Sequence, residues 1–83
     1  MMNKKVRLYG ADWCSDCIRA KVFLENHNID FEYIDVDQDE KANQYVVEVN
    51  PNKNRTIPVI EIEGREDRLI EPTNAELKRF FEI

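Results

Sequence analysis

Hydrophobic and polar residues alternate in four short stretches of the chain, and this alternation predicts four β-strands. The first is Val6–Tyr9, which a glycine follows, and the second is Phe31–Val36. The third, Val59–Glu63, comes directly after a proline, and a turn at Gly64 leads into a short fourth strand, Arg68–Ile70. The tight turn favours an antiparallel hairpin between the last two strands.

Three other stretches repeat their apolar residues at the spacing of an α-helix. The first helix is predicted from Ser15 to about Asn26, and an asparagine of the stretch Asn26-His27-Asn28 can close it in a left-handed conformation. The second follows the acidic stretch Asp37–Glu40 and stops at Asn50–Pro51. The third begins with a capping-box pattern, Thr73–Glu76. In the first helix one predicted apolar stripe contains Cys17, Ala20 and Leu24, widened by Ile18, Val22 and Phe23.

The predicted order of elements is β-α-β-α-β-β-α, which places the chain in the α/β class. Strand–helix–strand at the start favours a parallel crossover, and the second half favours an antiparallel hairpin. One four-stranded mixed sheet with helices on both faces accounts for all seven elements. A chain of 83 residues has room for one core, so we expect a single domain over residues 1–83.

Composition and charge narrow the class of protein. The chain is 42% hydrophobic and 35% charged, which is typical of a soluble globular domain, and it has no apolar run long enough to span a membrane. A net charge of −5 argues against a nucleic-acid or membrane-surface partner. The start, Met1–Lys5, is basic, but the apolar stretch after it is too short for a secretory signal, so we predict a cytoplasmic protein.

Cys14 and Cys17 are the only cysteines of the chain, and two residues separate them. If Cys14 caps the first helix and Cys17 lies one turn into it, the two sulfurs share a face and can close a small disulfide. The helix N-terminus would then favour the Cys14 thiolate, which is the form that attacks disulfides. The pair therefore indicates redox chemistry in a compartment that keeps thiols reduced.

Three other interpretations of the cysteine pair remain open at this point. A zinc site needs four ligands, and besides the two sulfurs the chain offers only His27, so a metal would be shared between two chains or completed by carboxylates. His27 itself is expected at the surface of a helix end. A purely structural disulfide would restrain only a very short loop, and inert buried cysteines would leave their position at a helix start unexplained.

Together, these motifs resemble those of the glutaredoxin family of the thioredoxin fold. The resemblance rests on Cys14-x-x-Cys17, on the helical stretch from Cys17 to Leu24, and on the run Arg55-Thr56-Ile57-Pro58 before the third strand. It implies a cis Pro58 beside Cys14, with the main chain of Ile57 free to pair with an extended substrate. It also implies no tightly bound cofactor and no metal, with glutathione or an equivalent low-molecular-weight thiol as co-substrate. The substrate-binding residues implied are Trp13, Arg55, Thr56, Ile57, Pro58, Thr73 and Asn74.

The chain departs from glutathione-using members of that family at two places. It has Gly10–Trp13 where they usually carry a lysine before the first cysteine, and Ile70–Glu76 where they carry a Gly-Gly pair. Arg55 and the N–H groups at Thr73 and Asn74 would remain for an anionic ligand. The Trp-Cys pair and this turn look more like the mycoredoxin-like branch, and somewhat like small electron donors to ribonucleotide reductase.

The sequence therefore predicts a thiol–disulfide oxidoreductase, expected to be a monomer, that acts on disulfide-containing proteins or mixed disulfides with a small thiol. Cys14 would attack and Cys17 would resolve the intermediate, while Asp12 and Asp16 would oppose the thiolate. One alternative is an electron donor to ribonucleotide reductase that a flavoprotein thioredoxin reductase recharges. A metal- or cluster-bridged dimeric carrier and a fold used only for interaction are the other two.

Overall fold

The structure is a computed structural model that describes residues 4–83, so most of the basic start, Met1–Asn3, lies outside the described residues. Its seven elements follow the predicted order. They are β1 (Val6–Gly10), α1 (Ser15–Asn26), β2 (Glu32–Asp35), α2 (Glu40–Val49), β3 (Val59–Ile62), β4 (Arg68–Ile70) and α3 (Asn74–Phe81).

The four strands form one mixed sheet in the order β2-β1-β3-β4. β1 pairs with β2 in parallel and with β3 in the antiparallel sense, and Leu8 stands opposite Tyr33 on one side and Ile60 on the other. β3 and β4 form the antiparallel hairpin. The predicted α/β fold with a mixed sheet is confirmed, and β1 lies at its centre, directly before the two cysteines.

Each face of the sheet carries its own hydrophobic cluster, because successive residues of a strand point to opposite faces. Leu8 packs with α1 and α3 residues such as Leu24 and Leu77 on one face. Its neighbour Tyr9 packs on the other face with α2 residues such as Val46, and this second cluster includes both cysteines. Helices therefore cover both faces, as the sequence predicted.

Two residues of the apolar stripe predicted for α1 do not face the core. Ile18 is 49% exposed and Val22 is 46% exposed, so this part of the prediction is wrong. The two residues are four positions apart and share a face of the helix, which points to solvent because other α1 side chains already fill the buried face. The predicted left-handed closing residue is confirmed at Asn28, whose φ is 58°.

The ends of the other two helices follow the predicted capping chemistry. The Asp39 side chain accepts a hydrogen bond from the Ala42 amide at 3.0 Å, so one acid of the stretch before α2 is its cap. In α3 the Thr73 hydroxyl and the Glu76 carboxylate complete the capping box. Among the described residues, no helix combines the length and hydrophobicity that crossing a membrane requires.

Candidate functional site

Cys14 caps the N-terminus of α1 and presents its sulfur to the first turn of the helix. Its backbone is extended (φ −87°, ψ 111°), and its Sγ accepts a hydrogen bond from the Cys17 amide at 3.2 Å. The Cys14 amide in turn donates to the Ala11 carbonyl at 3.1 Å, which closes the turn between β1 and α1. Both cysteines are free thiols. A thiolate at this position gains the amide hydrogen bond and the positive end of the helix dipole.

Cys17 lies one turn further into α1 and is fully buried behind Cys14. Burial raises the pKa of Cys17 to about 12, and its interactions with Cys14 and with the charge of Asp16 act in the same direction. Cys17 is therefore a neutral thiol at physiological pH. Of the two sulfurs, Cys14 is the one that borders an open groove.

The groove beside Cys14 has a volume of about 440 Å³. It brings together six of the residues that the sequence singled out, from three separate parts of the chain. Its lining is Trp13, Cys14, Ser15, Asp16, Arg55, Thr56, Ile57 and Glu71. The sequence indicates no role for Ser15, and it places Glu71 only in the segment Ile70–Glu76 that departs from the family pattern.

The loop before β3 supplies three of the lining residues of the groove, and a buried asparagine holds this loop. Asn50 donates from Nδ2 to the Val46 carbonyl at 2.7 Å and to the Thr56 carbonyl at 3.2 Å, which joins this loop to the end of α2. The Ile57–Pro58 peptide bond is cis. Pro58 is fully buried and does not line the groove, so the implied substrate edge is formed by Thr56 and Ile57.

Arg55 is already engaged by other residues of the protein. Its guanidinium forms an ion pair with Asp37 and a hydrogen bond to the Asn43 side chain. The exposed Trp13 donates from its indole Nε1 to the other Asp37 oxygen at 2.7 Å. The hydrogen bonds from Arg55 and Trp13 hold the pKa of Asp37 below its usual range. Asp37 therefore joins two groove residues, a role that its position in an acidic stretch before a helix did not reveal.

Thr73 and Asn74 do not line the groove. The Thr73 amide donates to the Glu76 carboxylate at 2.8 Å, and the Glu76 amide donates to the Thr73 hydroxyl at 3.1 Å. Asn74 accepts a hydrogen bond from Arg19 Nη1 at 2.8 Å. The Thr73 amide is therefore part of the cap of α3, and the Asn74 side chain contacts Arg19 of α1.

Both acidic residues near the dithiol have partners of their own. Asp12 accepts a hydrogen bond from the Tyr33 hydroxyl at 3.0 Å, and burial together with this contact raises the pKa of Tyr33. Asp16 forms an ion pair with Arg19, with 3.4 Å between Oδ1 and Nη2. Arg19 also donates to the Pro72 carbonyl at 2.9 Å. The three-residue spacing of Asp16 and Arg19 on a helix is the sequence signal that could have revealed this pair.

The described residues of one chain do not form a cluster of three metal-ligating His, Cys, Asp or Glu side chains. Cys14 and Cys17 could supply two sulfur ligands to a metal, and a second chain would have to supply the others. The arrangement within one chain is that of a dithiol pair beside a substrate groove.

Comparison with known proteins agrees with this geometry. The glutaredoxin family profile matches residues 6–66. A protein named as a glutaredoxin in Mycobacterium tuberculosis is 30% identical over 60 residues, which cover 72% of this chain and 70% of that protein. Mycoredoxin 1 of Corynebacterium glutamicum is 40% identical over 55 residues, which cover 66% of each chain.

Among solved structures, the glutaredoxin-like protein NrdH-redoxin from Escherichia coli superposes with a TM-score of 0.76. It is 23% identical, and the superposition covers 90% of this chain and 92% of that one, so this similarity shows the fold. One conclusion follows from the seven elements, the dithiol at the start of α1 and these matches. The chain belongs to the glutaredoxin family of thiol redox proteins with the thioredoxin fold, and within that family it resembles the mycoredoxins.

Proposed function

We propose that this protein is a thiol–disulfide oxidoreductase that reduces protein disulfides, and mixed disulfides between a protein and a small thiol, through Cys14 and Cys17. One observation carries the proposal: Cys14 caps α1 at the edge of a groove, and Cys17 lies one turn behind it. Because the groove and both thiols belong to one chain, a monomer can perform the reaction. Because the proposed reaction reduces disulfides, it requires a compartment that keeps the dithiol reduced, such as the cytoplasm.

The reaction takes place in two exchanges. The Cys14 thiolate attacks one sulfur of the substrate disulfide, so that a mixed disulfide forms and the other substrate sulfur leaves as a thiolate. Cys17 then loses its proton and attacks the Cys14 sulfur, which releases the second substrate thiol and leaves a Cys14–Cys17 disulfide. Two electrons pass from the dithiol to the substrate. An external thiol or a reductase restores the dithiol.

Protein segments fit this groove better than a small anionic thiol does. Ile57 lines the groove, and pairing with its main chain would let an extended segment add as a strand whatever its side chains are. The cationic side chain that could bind a carboxylate, Arg55, is neutralised by Asp37. The Thr73 amide is capped by Glu76 and lies outside the groove lining. We therefore propose protein disulfides as the principal substrates and weak use of glutathione.

The neutralised Arg55 and the capped Thr73 amide also favour a second candidate, an electron donor to ribonucleotide reductase that a flavoprotein recharges. A groove with weak affinity for a small anionic thiol is better served by a protein reductase than by glutathione. The two candidates share the dithiol chemistry and differ in their partners.

Reduction of insulin disulfides tests the proposed activity, with two ways of recharging the protein compared side by side. One arm contains NADPH, glutathione reductase and glutathione, and the other contains NADPH and thioredoxin reductase. We expect the wild type to reduce insulin and Cys14→Ser to be inactive in both arms. Turnover in the glutathione arm, slow because the groove binds glutathione weakly, supports the first candidate, and turnover only in the thioredoxin reductase arm supports the second. Retained activity in Cys14→Ser would contradict both.

A further inference from the structure

Glu71 has an unusual backbone and lies at the groove. Its φ is 52°, which is the left-handed region that residues with a side chain seldom adopt. Its amide donates to the Pro58 carbonyl at 2.8 Å, so the backbone is fixed at the end of the β3–β4 pairing. Glycine would take this conformation without strain, yet the position carries a long acidic side chain. Four described residues other than glycine have a positive φ, and of these Glu71 is the one that lines the groove beside Cys14.

The Glu71 carboxylate has no internal partner among residues 4–83: it takes part in none of the ion pairs and side-chain hydrogen bonds of this part of the chain. The other two charged side chains that line the groove each have an ion-pair partner. Asp16 is paired with Arg19, and Arg55 is paired with Asp37. The exposed Glu71 therefore contributes the uncompensated charge of the groove, and that charge is negative.

We propose that Glu71 is a specificity-determining residue that selects disulfide substrates with a positively charged side chain next to the reacting cysteine. The inference rests on the proposed function, because it concerns the same groove and the same reaction. A substrate segment that pairs with Ile57 and brings its sulfur to Cys14 lies in a groove of about 440 Å³, which Glu71 also lines. A lysine or arginine beside the substrate cysteine would meet the Glu71 carboxylate, while an acidic residue there would be repelled.

The test uses three capped peptides of the same sequence, each oxidised to its homodisulfide, with Lys, Ala or Glu before the single cysteine. Reduced protein is mixed with each peptide in a single turnover, so no other reductant is needed, and the peptide thiol released is measured by mass spectrometry. Each rate is divided by the rate with dithiothreitol, a dithiol that carries no charge other than that of the attacking thiolate. This division removes the effect of the neighbouring residue on the intrinsic reactivity of the disulfide.

We expect the Lys peptide to react about three to ten times faster than the Glu peptide at low salt, the range that one or two partly exposed charge contacts produce. The ratio should fall in concentrated salt, because the Debye length shrinks to about 3 Å at 1 M. Glu71→Gln should reduce the ratio at least about twofold, and Glu71→Lys should remove or reverse it.

Glu82→Gln is the matched control, because Glu82 is also an exposed glutamate with a positive φ (57°) and does not line the groove. It changes the net charge by the same amount as Glu71→Gln, and we expect it to leave the ratio unchanged. An unchanged ratio in Glu71→Gln, or an equal fall in Glu82→Gln, would overturn the role of Glu71. Failure of the wild type to reduce even the Ala peptide would instead overturn the proposed function.

Discussion

Gly10 and Cys17 are in direct contact at the end of β1. A methyl group on Gly10 would lie 2.9 Å from the Cys17 Sγ, which is closer than real side-chain contacts allow, and 3.1 Å from its Cβ, which is tighter than most. Cys17 is fully buried, so its sulfur has no free space into which it could move. The absence of a side chain at Gly10 is therefore what lets the second thiol lie against the central strand.

Gly10→Ala should lower the free energy of unfolding by about 1–3 kcal/mol, the usual cost of overpacking a core. Urea denaturation of the reduced protein measures this cost. In a Cys17→Ala background the Sγ atom is gone, so the cost of Gly10→Ala should be smaller, and the double-mutant cycle should show coupling between the two positions. An equal cost in both backgrounds would mean that the contact with Cys17 does not limit Gly10.

The buried Cys17 thiol should make the stability of the reduced protein sensitive to alkali. The pKa of Cys17 is raised from 9.0 to about 12 by burial, so the native state favours the neutral thiol more than the unfolded state does. The stabilising contribution is complete below about pH 9 and is lost as the pH rises through about 12. Thermal unfolding from pH 8 to 11 should therefore show a steeper loss for the wild type than for Cys17→Ala.

Both proteins in that comparison keep Tyr9 and Tyr33, whose pKa values are also raised by burial. The charge of Cys17 is the smallest of the named effects on the pKa of Tyr33, so the tyrosines contribute similarly to the two profiles and the difference between the profiles reports mainly on Cys17. Parallel profiles over the whole range would show that Cys17 titrates as an ordinary exposed thiol.

Asp16 and Arg19 should shift the reduction potential in opposite directions. Asp16→Asn removes a negative charge near the Cys14 sulfur, which stabilises the reduced form with its thiolate and makes the potential less negative. Arg19→Gln removes the counterion of Asp16 and should make the potential more negative. We expect the wild-type potential to lie nearer about −270 mV than about −200 mV. Because the pair is partly exposed, each substitution should shift this potential by roughly 5–20 mV.

Redox titration against dithiothreitol measures these potentials, and Arg19→Lys is the control because it keeps the positive charge. Its potential should stay close to that of the wild type even though the hydrogen bonds to Pro72 and Asn74 change. Shifts of the same sign in Asp16→Asn and Arg19→Gln would contradict the electrostatic explanation.

Asp37→Asn should improve the use of glutathione. The substitution removes the carboxylate that neutralises Arg55 and so frees a cation at the groove for an anionic thiol. A charged hydrogen bond contributes about 1.5–3 kcal/mol, so we expect KM for glutathione to fall by roughly tenfold in glutathione-recharged insulin reduction. Arg55→Ala should lose activity selectively with glutathione, and the double variant should resemble Arg55→Ala. Improvement in the double variant would show that Arg55 is not involved.

The sequence predicted the order of the seven elements, the helices and the dithiol because these features depend on local signals. Alternating apolar residues, caps such as Thr73 and the spacing of the cysteines do not require knowledge of distant contacts. Ile18 was misplaced because a helical stripe shows which residues are apolar, but not how much of the stripe the sheet can cover. Apolar periodicity alone therefore overestimated the buried face of α1.

The charge pairing at the groove could not be predicted because it joins residues from distant parts of the chain. Asp37 meets Arg55 and Trp13 only once β2 pairs with β1 and the loop before β3 lies against α2. In the sequence, Asp37 is one of several acids before a helix. The left-handed backbone of Glu71 likewise depends on its hydrogen bond to Pro58, which exists only in the folded hairpin.

Trapping the mixed disulfide tests the central assignment of roles to Cys14 and Cys17 most directly. Reduced Cys17→Ser is mixed with oxidised insulin, quenched with acid, and analysed by mass spectrometry after digestion. Since the resolving thiol is missing, we expect a stable disulfide between Cys14 and an insulin cysteine, and no such adduct in Cys14→Ser. An adduct on Cys17 in the Cys14→Ser variant, formed as fast as the one on Cys14, would contradict the account.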